Sequence, residues 1–481
     1  MDLVEIIITQ AGGTRTIIVK RGDNLLDALR ANGIHINAAC GGRGVCDKCK
    51  VKVAFSGATE YVKSCGYEIK GDIAVQVEDY KGRGLYELNS IDYEVIKAEG
   101  YGIAADIGTT TVITYLVRLS DGKVIDVADG LNAQLSYGAD VLSRIFAAKS
   151  SLKDLSRLIR EQINGHIEYF EDKHRVKVIK AVISGNTTML YLLKGIDPAG
   201  LGVYPFGAEE PLSQSYGDII NCGDTRFLPW ASAYIGGDIV SGVLSSGMMK
   251  DGISILVDIG TNGEIVLNRR GELYGASAAA GPAFEGAVIA CGMGGVPGAI
   301  DHVYYDEKLS YSVIDGEAKG ICGSGLVDAV AVMLKTGILD KSGAVAAQDK
   351  LTDNKFYLTD KVYISDRDVR QYQLAKSAIR AGIEALTEYA RVNLADIDKI
   401  YLAGGFGNYL DIDNAVYTGL LPVEFKDSYI NTGNSSGQGA IMCLLNPGLI
   451  NKAYEIAKAI RVIELSGNQS FIEKYINYMS F

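Results

Sequence analysis

The chain has 481 residues, 48% hydrophobic and 22% charged; that much apolar side chain over about three domain lengths excludes a mainly disordered state. Its formal charge of −11 excludes a general nucleic-acid binder, which carries a basic face. Glycine occurs 57 times and proline only 8 times, which excludes a linker composition and points to tight strand-to-helix turns where backbone approaches a ligand.

The N-terminal stretch MDLVEIIITQ carries Asp2 and Glu5 and lacks the basic n-region of a signal peptide. The chain is therefore expected in the cytoplasm, where clustered cysteines serve as metal ligands more often than as disulfides. Residues 3–9 and 15–20 are β-rich runs flanking Gln10-Ala11-Gly12-Gly13-Thr14 and predict a hairpin. Asp23 is placed to N-cap a helix through NLLDALRAN, closed by Gly33.

Four of the eight cysteines fall between positions 40 and 65. Cys40, Cys46 and Cys49 form C-x5-C-x2-C, and Cys65 follows. Four thiolates in a glycine-rich loop can ligate a [2Fe–2S] cluster. Its bridging sulfides need backbone N–H donors close by, an approach that side chains at Gly41, Gly42 and Gly44 would block. Zinc competes, although four-cysteine zinc sites favour two C-x2-C pairs and only Cys46 and Cys49 have that spacing. Four unrelated packing cysteines is the third reading. The order hairpin, helix, cysteine loop resembles the β-grasp ferredoxin fold, with an adrenodoxin-type first gap and a short span from Cys49 to Cys65. Arg43, Lys48, Lys50 and Lys52 crowd this loop, either as a solvated basic strand or as a docking surface for an acidic redox partner. A strand over 72–78 ends the domain, and the polar, periodless stretch 81–98 reads as a short linker.

Self-comparison then reveals a duplication. YGIAADIGTTTVITYLV begins at Tyr101 and ISILVDIGTNGEIVL at Ile253, so Asp106 and Asp258 occupy matching places in two hairpins. Each turn offers backbone N–H groups and threonine hydroxyls to phosphate oxygens. Each aspartate can hold Mg²⁺, through water because Mg²⁺ keeps much of its hydration shell. Glycine turns at 181–189, 237–244, 320–330 and 431–441 each sit between a predicted strand and helix, where a helix N-terminus can face phosphate. Singly, each is more often a structural turn; together they predict a two-lobed nucleotide clamp.

The apolar stretch 277–300 is broken by Pro282, Glu285 and glycines and reads as buried loop and helix rather than a membrane span. Ser365 and Asp368 form a capping-box start for a helix running to about Asn393. Its positions Ala375, Ile379, Gly382, Leu386 and Ala390 follow helical spacing and are expected in the core. A strand over 398–403 then runs into Gly404-Gly405-Phe406-Gly407. His35, His166, His174 and His302 show no ligand spacing, and Cys222, Cys291, Cys322 and Cys443 read as packing residues.

Together these motifs closely resemble the reductive activators of corrinoid-dependent enzymes. The resemblance spans nearly the whole chain: the four clustered cysteines, NAQLSYGADVLSRI (132–145), GNTTMLYLLKGIDP (185–198), SAAAGPAFEGAVIACGM (277–293), GSGLVDAV (323–330), DVRQYQLAKSAI (368–379), LAGGFGNYLD (402–411) and the closing RVIELSGNQSFIEKYINYMSF. It implies an α+β ferredoxin-like β-grasp domain followed by a two-lobed α/β ATPase of the acetate and sugar kinase/heat-shock protein/actin fold. The domains expected are a [2Fe–2S] ferredoxin domain (1–80), the linker (81–98), ATPase lobe I (99–250), lobe II (251–445) and a C-terminal helical segment on the lobes (446–481). Two features depart from the family: the linker lacks the extra middle domain of longer members, and no cysteine follows Cys443.

The resemblance implies ATP-dependent transfer of one low-potential electron to an inactive Co(II) corrinoid protein, restoring Co(I). Plant-type [2Fe–2S] centres lie near about −400 mV, generally above that couple, and ATP hydrolysis can offset the gap. The implied partners are a corrinoid protein of a methyltransferase or corrinoid iron–sulfur system and an upstream low-potential reductant, with no nucleic acid and no membrane. A homodimer is compatible with it. Cys40, Cys46, Cys49 and Cys65 are expected as cluster ligands. Asp106, Gly108, Thr109, Thr110, Asp258, Gly260, Thr261 and Asn262 are expected to face phosphate and Mg²⁺, and Gly404, Gly405 and Phe406 to border the adenosine. Glu264 or Asp238 is expected to orient the attacking water. The clamp alone would also suit a sugar or carboxylate kinase, or a nucleotide-sensing electron carrier.

Overall fold

The computed structural model describes residues 2–10, 13–32, 34, 36, 49–77, 93–209, 217, 219–407 and 409–481. Cys40, Cys46, Gly41, Gly42, Gly44, Gly33, His35, Arg43, Lys48 and the linker up to residue 92 lie outside them.

The first domain is one mixed sheet and one helix. Strands β1 (Leu3–Gln10) and β2 (Gly13–Lys20) form the expected hairpin, followed by helix α1 (Leu25–Ala31), strands β3 (Lys50–Phe55) and β4 (Ala58–Lys63), and β5 (Ile73–Gln76). The sheet order is β2-β1-β5-β3-β4, with β1 and β5 parallel. Val4, Ile6 and Ile8 alternate inward on β1 and meet Leu25, Leu26 and Leu29 of α1. Burying such a side chain contributes about 1.5–3 kcal/mol.

The helix starts one residue later than predicted. Asn24, not Asp23, is the N-cap, accepting from the Leu26 and Asp27 amides, because the Asp23 carboxylate accepts from Lys20 N at 3.1 Å and closes the turn after β2. The β3–β4 hairpin was not expected. Its turn, Ser56-Gly57, has both residues at positive φ, and Val51 and Val53 alternate inward while Lys50 stays exposed.

Lobe I contains β6 (Tyr101–Ile107), β7 (Thr111–Arg118), β8 (Val124–Leu131), the long helix α2 (Val141–His174), β9 (Val178–Gly185), α3 (Thr187–Lys194), β10 (Asp224–Phe227) and α4 (Gly237–Ser246). Lobe II begins with β11 (Ile253–Ile259), β12 (Gly263–Arg269), β13 (Glu272–Ala278), the hairpin β14 (Ala299–Asp306) and β15 (Lys308–Ile314), β16 (Gly320–Ile321) and α5 (Gly323–Lys335). It continues through β17 (Lys355–Tyr357), β18 (Tyr363–Ser365), α6 (Asp366–Tyr389), β19 (Lys399–Ala403), the short α7 (Gly404–Gly407), α8 (Ile412–Tyr417), β20 (Tyr429–Asn431) and α9 (Ser435–Leu445). The chain closes with α10 (Gly448–Ala459), β21 (Ile460–Ile463) and α11 (Gln469–Asn477).

The duplication is topological as well as local. Lobe I has strand order β10-β9-β6-β7-β8, and lobe II repeats it as β20-β19-β11-β12-β13, with β21 added beside β13. Both sheets place an antiparallel meander next to parallel strands, β9 beside β6 and β19 beside β11. The segment 446–481, expected as helical, thus also contributes a strand.

Two helices cross between the sheets. Tyr115 of β7 lies against Gly437 of α9, where a Cβ would stand 2.6 Å from its ring, and Leu444 fills the space beside Gly102 of β6. On the other side Gly242 of α4 faces Leu256 of β11. Ser241 Oγ and Ser245 Oγ of α4 each donate at 2.7 Å to backbone carbonyls of α9, those of Ser436 and Ser435. One apolar cluster therefore runs through both sheets.

The helix from Ser365 keeps its capping box and buries Ala375, Ile379, Gly382, Leu386 and Ala390. The 277–300 stretch contains no helix: beyond β13 it is turns, with Gly281 and Gly286 at positive φ. His166 bonds Thr114, His174 bonds Asp126 and His302 bonds Asp328, so each serves a structural pair. The ferredoxin domain touches lobe I where the Arg30 guanidinium lies 5.1 Å from the ring centroid of Tyr137.

Candidate functional site

The two predicted turns face one another across a cleft of about 320 Å³. In the lobe I turn Gly108 N donates to Thr111 O at 2.9 Å, and a Cβ at Gly108 would come as close to that oxygen, so only glycine fits. In lobe II, Gly260 N donates to Asn262 O at 2.9 Å. Asp106, Gly108, Thr109, Thr110, Asp238, Asp258, Gly260, Thr261, Asn262, Glu264, Gly404, Gly405 and Phe406 all line this cleft.

Four helix N-termini point into the same space. Asn186 caps α3 by accepting from Met189 N at 3.0 Å, and its amide donates to Thr109 Oγ1 at 3.2 Å. Asp238 stands in the first turn of α4, Gly323 and Ser324 open α5, and Asn434 caps α9 next to Ser435 and Ser436. Orphan N–H groups and aligned peptide dipoles at such ends favour anions. The glycine turns picked out of the sequence thus converge on one place.

Five carboxylates stand among these donors. Asp106 accepts from Ser436 Oγ at 2.6 Å, and Ser436 in turn bonds Ser184 at 2.8 Å. Asp258 and Glu264 are cross-strand partners on β11 and β12. The place of Glu264 is taken by an apolar residue in lobe I, where Asp106 pairs with Ile113. The carboxylates keep some surface toward the cleft, while the surrounding packing strips most of their water. Burial, then Asp258 and Asp106, pushes Asp238 up to about 8. Burial, then Asp106 and Glu285, pushes Asp258 up to about 7. Glu264 is raised well above the usual range by burial, then Asp238 and Asp258. Such a site favours a divalent cation that would let these groups ionise. Among the described residues no three His, Cys, Asp or Glu side chains converge as direct metal ligands.

The far wall is aromatic. Phe406 stacks on Phe284 with ring centroids 4.6 Å apart and planes at 26°. A Cβ at Gly323 would meet the Phe406 ring at 2.6 Å, so the glycine admits the stack. Gly404, at φ +83°, has no room for a side chain because the Asp258 carboxylate lies against it.

Sequence reasoning missed Glu285, Asn186, Phe284, Ser324, Asn434, Ser435, Ser436 and Tyr409, which also line the cleft. Glu285 was visible only as a charge interrupting an apolar run. Cys322, read as packing, is buried but caps α5 at the cleft wall.

In the first domain the backbone joins the segments that carry two candidate cluster ligands, just outside the β3–β4 pairing. Cys49 is 1% exposed and its carbonyl accepts from Ser64 N at 2.9 Å, one residue before Cys65. Asn24 Nδ2 donates to Cys65 O at 2.9 Å and ties this corner to α1. The backbone at this corner is thus held from two sides, and cysteine thiolates are the ligands a [2Fe–2S] cluster takes.

Comparison with known proteins assigns both halves. Residues 8–65 match the 2Fe-2S iron-sulfur cluster binding domain, 101–251 the RACo middle region, and 252–481 the C-terminal domain of RACo, the ASKHA domain. The stretch matching the RACo middle region is the sheet and helices of lobe I. The corrinoid activation enzyme RamQ of Eubacterium limosum is 29% identical over 94% of this chain and 95% of its own length. The [Co(II) methylated amine-specific corrinoid protein] reductase of Methanosarcina barkeri is 28% identical over 79% of this chain and 77% of its own. A solved structure, the reductive activator for corrinoid, iron-sulfur protein, has 26% identity and a TM-score of 0.73, covering 99% of this chain and 98% of its own. Among the described residues no helix is long and apolar enough to cross a membrane. A ferredoxin domain joined to the RACo middle and ASKHA regions, with relatives of this kind along its length, places the chain in the family of ferredoxin–ASKHA reductive activators of corrinoid proteins.

Proposed function

We propose that this chain uses ATP hydrolysis to drive one electron from its [2Fe–2S] domain to a corrinoid protein trapped as Co(II), returning it to Co(I). The observation that carries this reading is the meeting of two Asp-Gly-Thr-type turns and four helix N-termini in one cleft, in a chain that also holds the cysteine domain. Relatives named for corrinoid activation supply the class of acceptor.

Cys49 and Cys65, with Cys40 and Cys46, would hold the cluster, which supplies a one-electron couple when bound. Thr109, Thr110, Thr261 and Asn262 bind phosphate oxygens, and Asp106 and Asp258 would hold Mg²⁺, which would supply positive charge to the phosphates. Glu264 or Asp238 orients the attacking water through a carboxyl oxygen. Gly404, Gly405 and Phe406 border the adenosine. Each ~59 mV of uphill one-electron gap costs a factor of ten, so hydrolysis makes the transfer one-way. An upstream low-potential donor must reload the cluster.

The test is ATP turnover by the cluster-loaded protein with a Co(II) corrinoid protein, following Co(I) by absorbance. ATP-dependent Co(I) formation is expected. Equal reduction without ATP overturns the coupling, turnover of a small sugar or carboxylate acceptor points to a kinase, and binding without turnover points to a nucleotide sensor.

A further inference from the structure

Among the described residues Arg144 is the largest of the fully buried side chains. It lies in the first turns of α2, directly behind the lobe I turn. Its Nε donates to Gly138 O at 2.9 Å, its Nη1 to Met189 Sδ at 3.0 Å and to Gln134 Oε1 at 3.4 Å, and its Nη2 to Thr109 O. All four partners are neutral. Asp140 and Glu285 act on it through space, and burial still draws its pKa down to about 9, which leaves it a cation at neutral pH.

A buried cation bonded only to neutral acceptors is strongly unfavourable, and a methionine of similar volume would fill the space without that cost. None of these direct bonds supplies counter-charge; Glu285 and then Asp140 supply it through space. On the far side of the Thr109 peptide is the cleft, where Thr109, Thr110 and Asn186 form the wall. The guanidinium also fixes the direction of that peptide: with the Thr109 carbonyl held toward Arg144, the Thr110 amide of the same trans peptide points the opposite way.

We propose that Arg144 is a positioning residue for the nucleotide phosphates, holding the Thr109 carbonyl from behind and stabilising the polyphosphate charge across the Gly108–Thr110 turn. This rests on the ATP-binding reading above. Its effect scales with the number of phosphates, because the guanidinium bonds the Thr109 carbonyl of the phosphate turn. Lysine substitutes only in part, since a single ammonium cannot bond Gly138 and Thr109 in the fork geometry of arginine.

The experiment is displacement of a fluorescent ATP analogue from the full-length, cluster-loaded protein by AMP, ADP and the non-hydrolysable AMP-PNP, with Mg²⁺ throughout. In the parent protein affinity is expected to rise from AMP to AMP-PNP. Arg144→Gln should leave AMP within twofold and weaken AMP-PNP at least tenfold, with Arg144→Lys between. Equal weakening of all three ligands, or unchanged AMP-PNP affinity, overturns the proposal. If Arg144→Gln does not fold, Arg144→Lys carries the test: a threefold or greater loss confined to AMP-PNP supports it, and a uniform loss or no loss overturns it. A parent protein that binds none of the three would instead overturn the ATP-binding reading.

Discussion

The hydroxyl of Thr261 donates to the carboxylate of Glu285 at 2.5 Å, and the Thr110 side chain bonds the same carboxylate. Glu285 thereby joins the turns of both lobes. Burial raises its pKa, and these hydroxyl bonds oppose the rise. In the proposed site, a negative group bonded to both threonine hydroxyls would compete with phosphate for them. Glu285→Gln is therefore expected to tighten nucleotide binding about three- to tenfold, roughly 0.7–1.4 kcal/mol, measured by calorimetry at pH 8. Weaker binding would instead place Glu285 among the groups that hold the cation.

The raised carboxylates make a pH prediction with a definite sign. Asp238 moves from an ordinary 3.8 to about 8 in the fold. A raised carboxyl binds its proton more tightly when folded, so its contribution to stability is full below the unfolded value and is lost as pH rises toward 8. Between pH 5 and 8 the nucleotide-free protein should lose thermal stability more steeply than Asp238→Asn. Each kcal/mol corresponds to about 2–4 °C in a domain of this size. Mg²⁺ with nucleotide, which favours the ionised carboxylates, should flatten the parent slope. Parallel melting curves for the two proteins would contradict this.

Cysteine roles can be separated by spectroscopy. Cys49→Ser should abolish or strongly alter the visible absorption and EPR signals of the cluster while leaving nucleotide affinity within twofold. Cys443, 1% exposed in α9 with its thiol pushed up by burial, is a packing residue. Cys443→Ala should keep the cluster spectrum and cost about 1 kcal/mol in stability from lost packing.

The Phe406–Phe284 stack should act on binding rather than on turnover. Aromatic pairs of this kind contribute about 0.5–1.5 kcal/mol beyond their buried area. Phe406→Ala is expected to raise KM for ATP about three- to tenfold with kcat within twofold. A fall in kcat at unchanged KM would remove Phe406 from the adenosine side.

Features carried by short segments were legible in the sequence. The Asp106 and Asp258 turns announce themselves because a strand–glycine turn–strand unit is local. The Ser365–Asp368 capping box closes within one helical turn, and the alternation of Val4, Ile6 and Ile8 follows the two-residue period of a strand. The four cysteines declare themselves by spacing. Even local reading failed where two neighbours compete, as when Asp23 closed a turn and left the cap to Asn24.

The sequence alone therefore determined the two-part architecture, the duplicated hairpins and the residues of the two facing turns. Only the tertiary structure decided which helices cross between the lobes and which groups stand behind and between the turns. Ser436 reaches Asp106 from 330 residues away, Arg144 holds Thr109 from 35, and Glu285 bonds Thr261 from 24. No periodicity or spacing encodes such pairs. The first follows from how α9 and α4 bury their small residues against each other, close packing that is set by the contacts of both sheets at once.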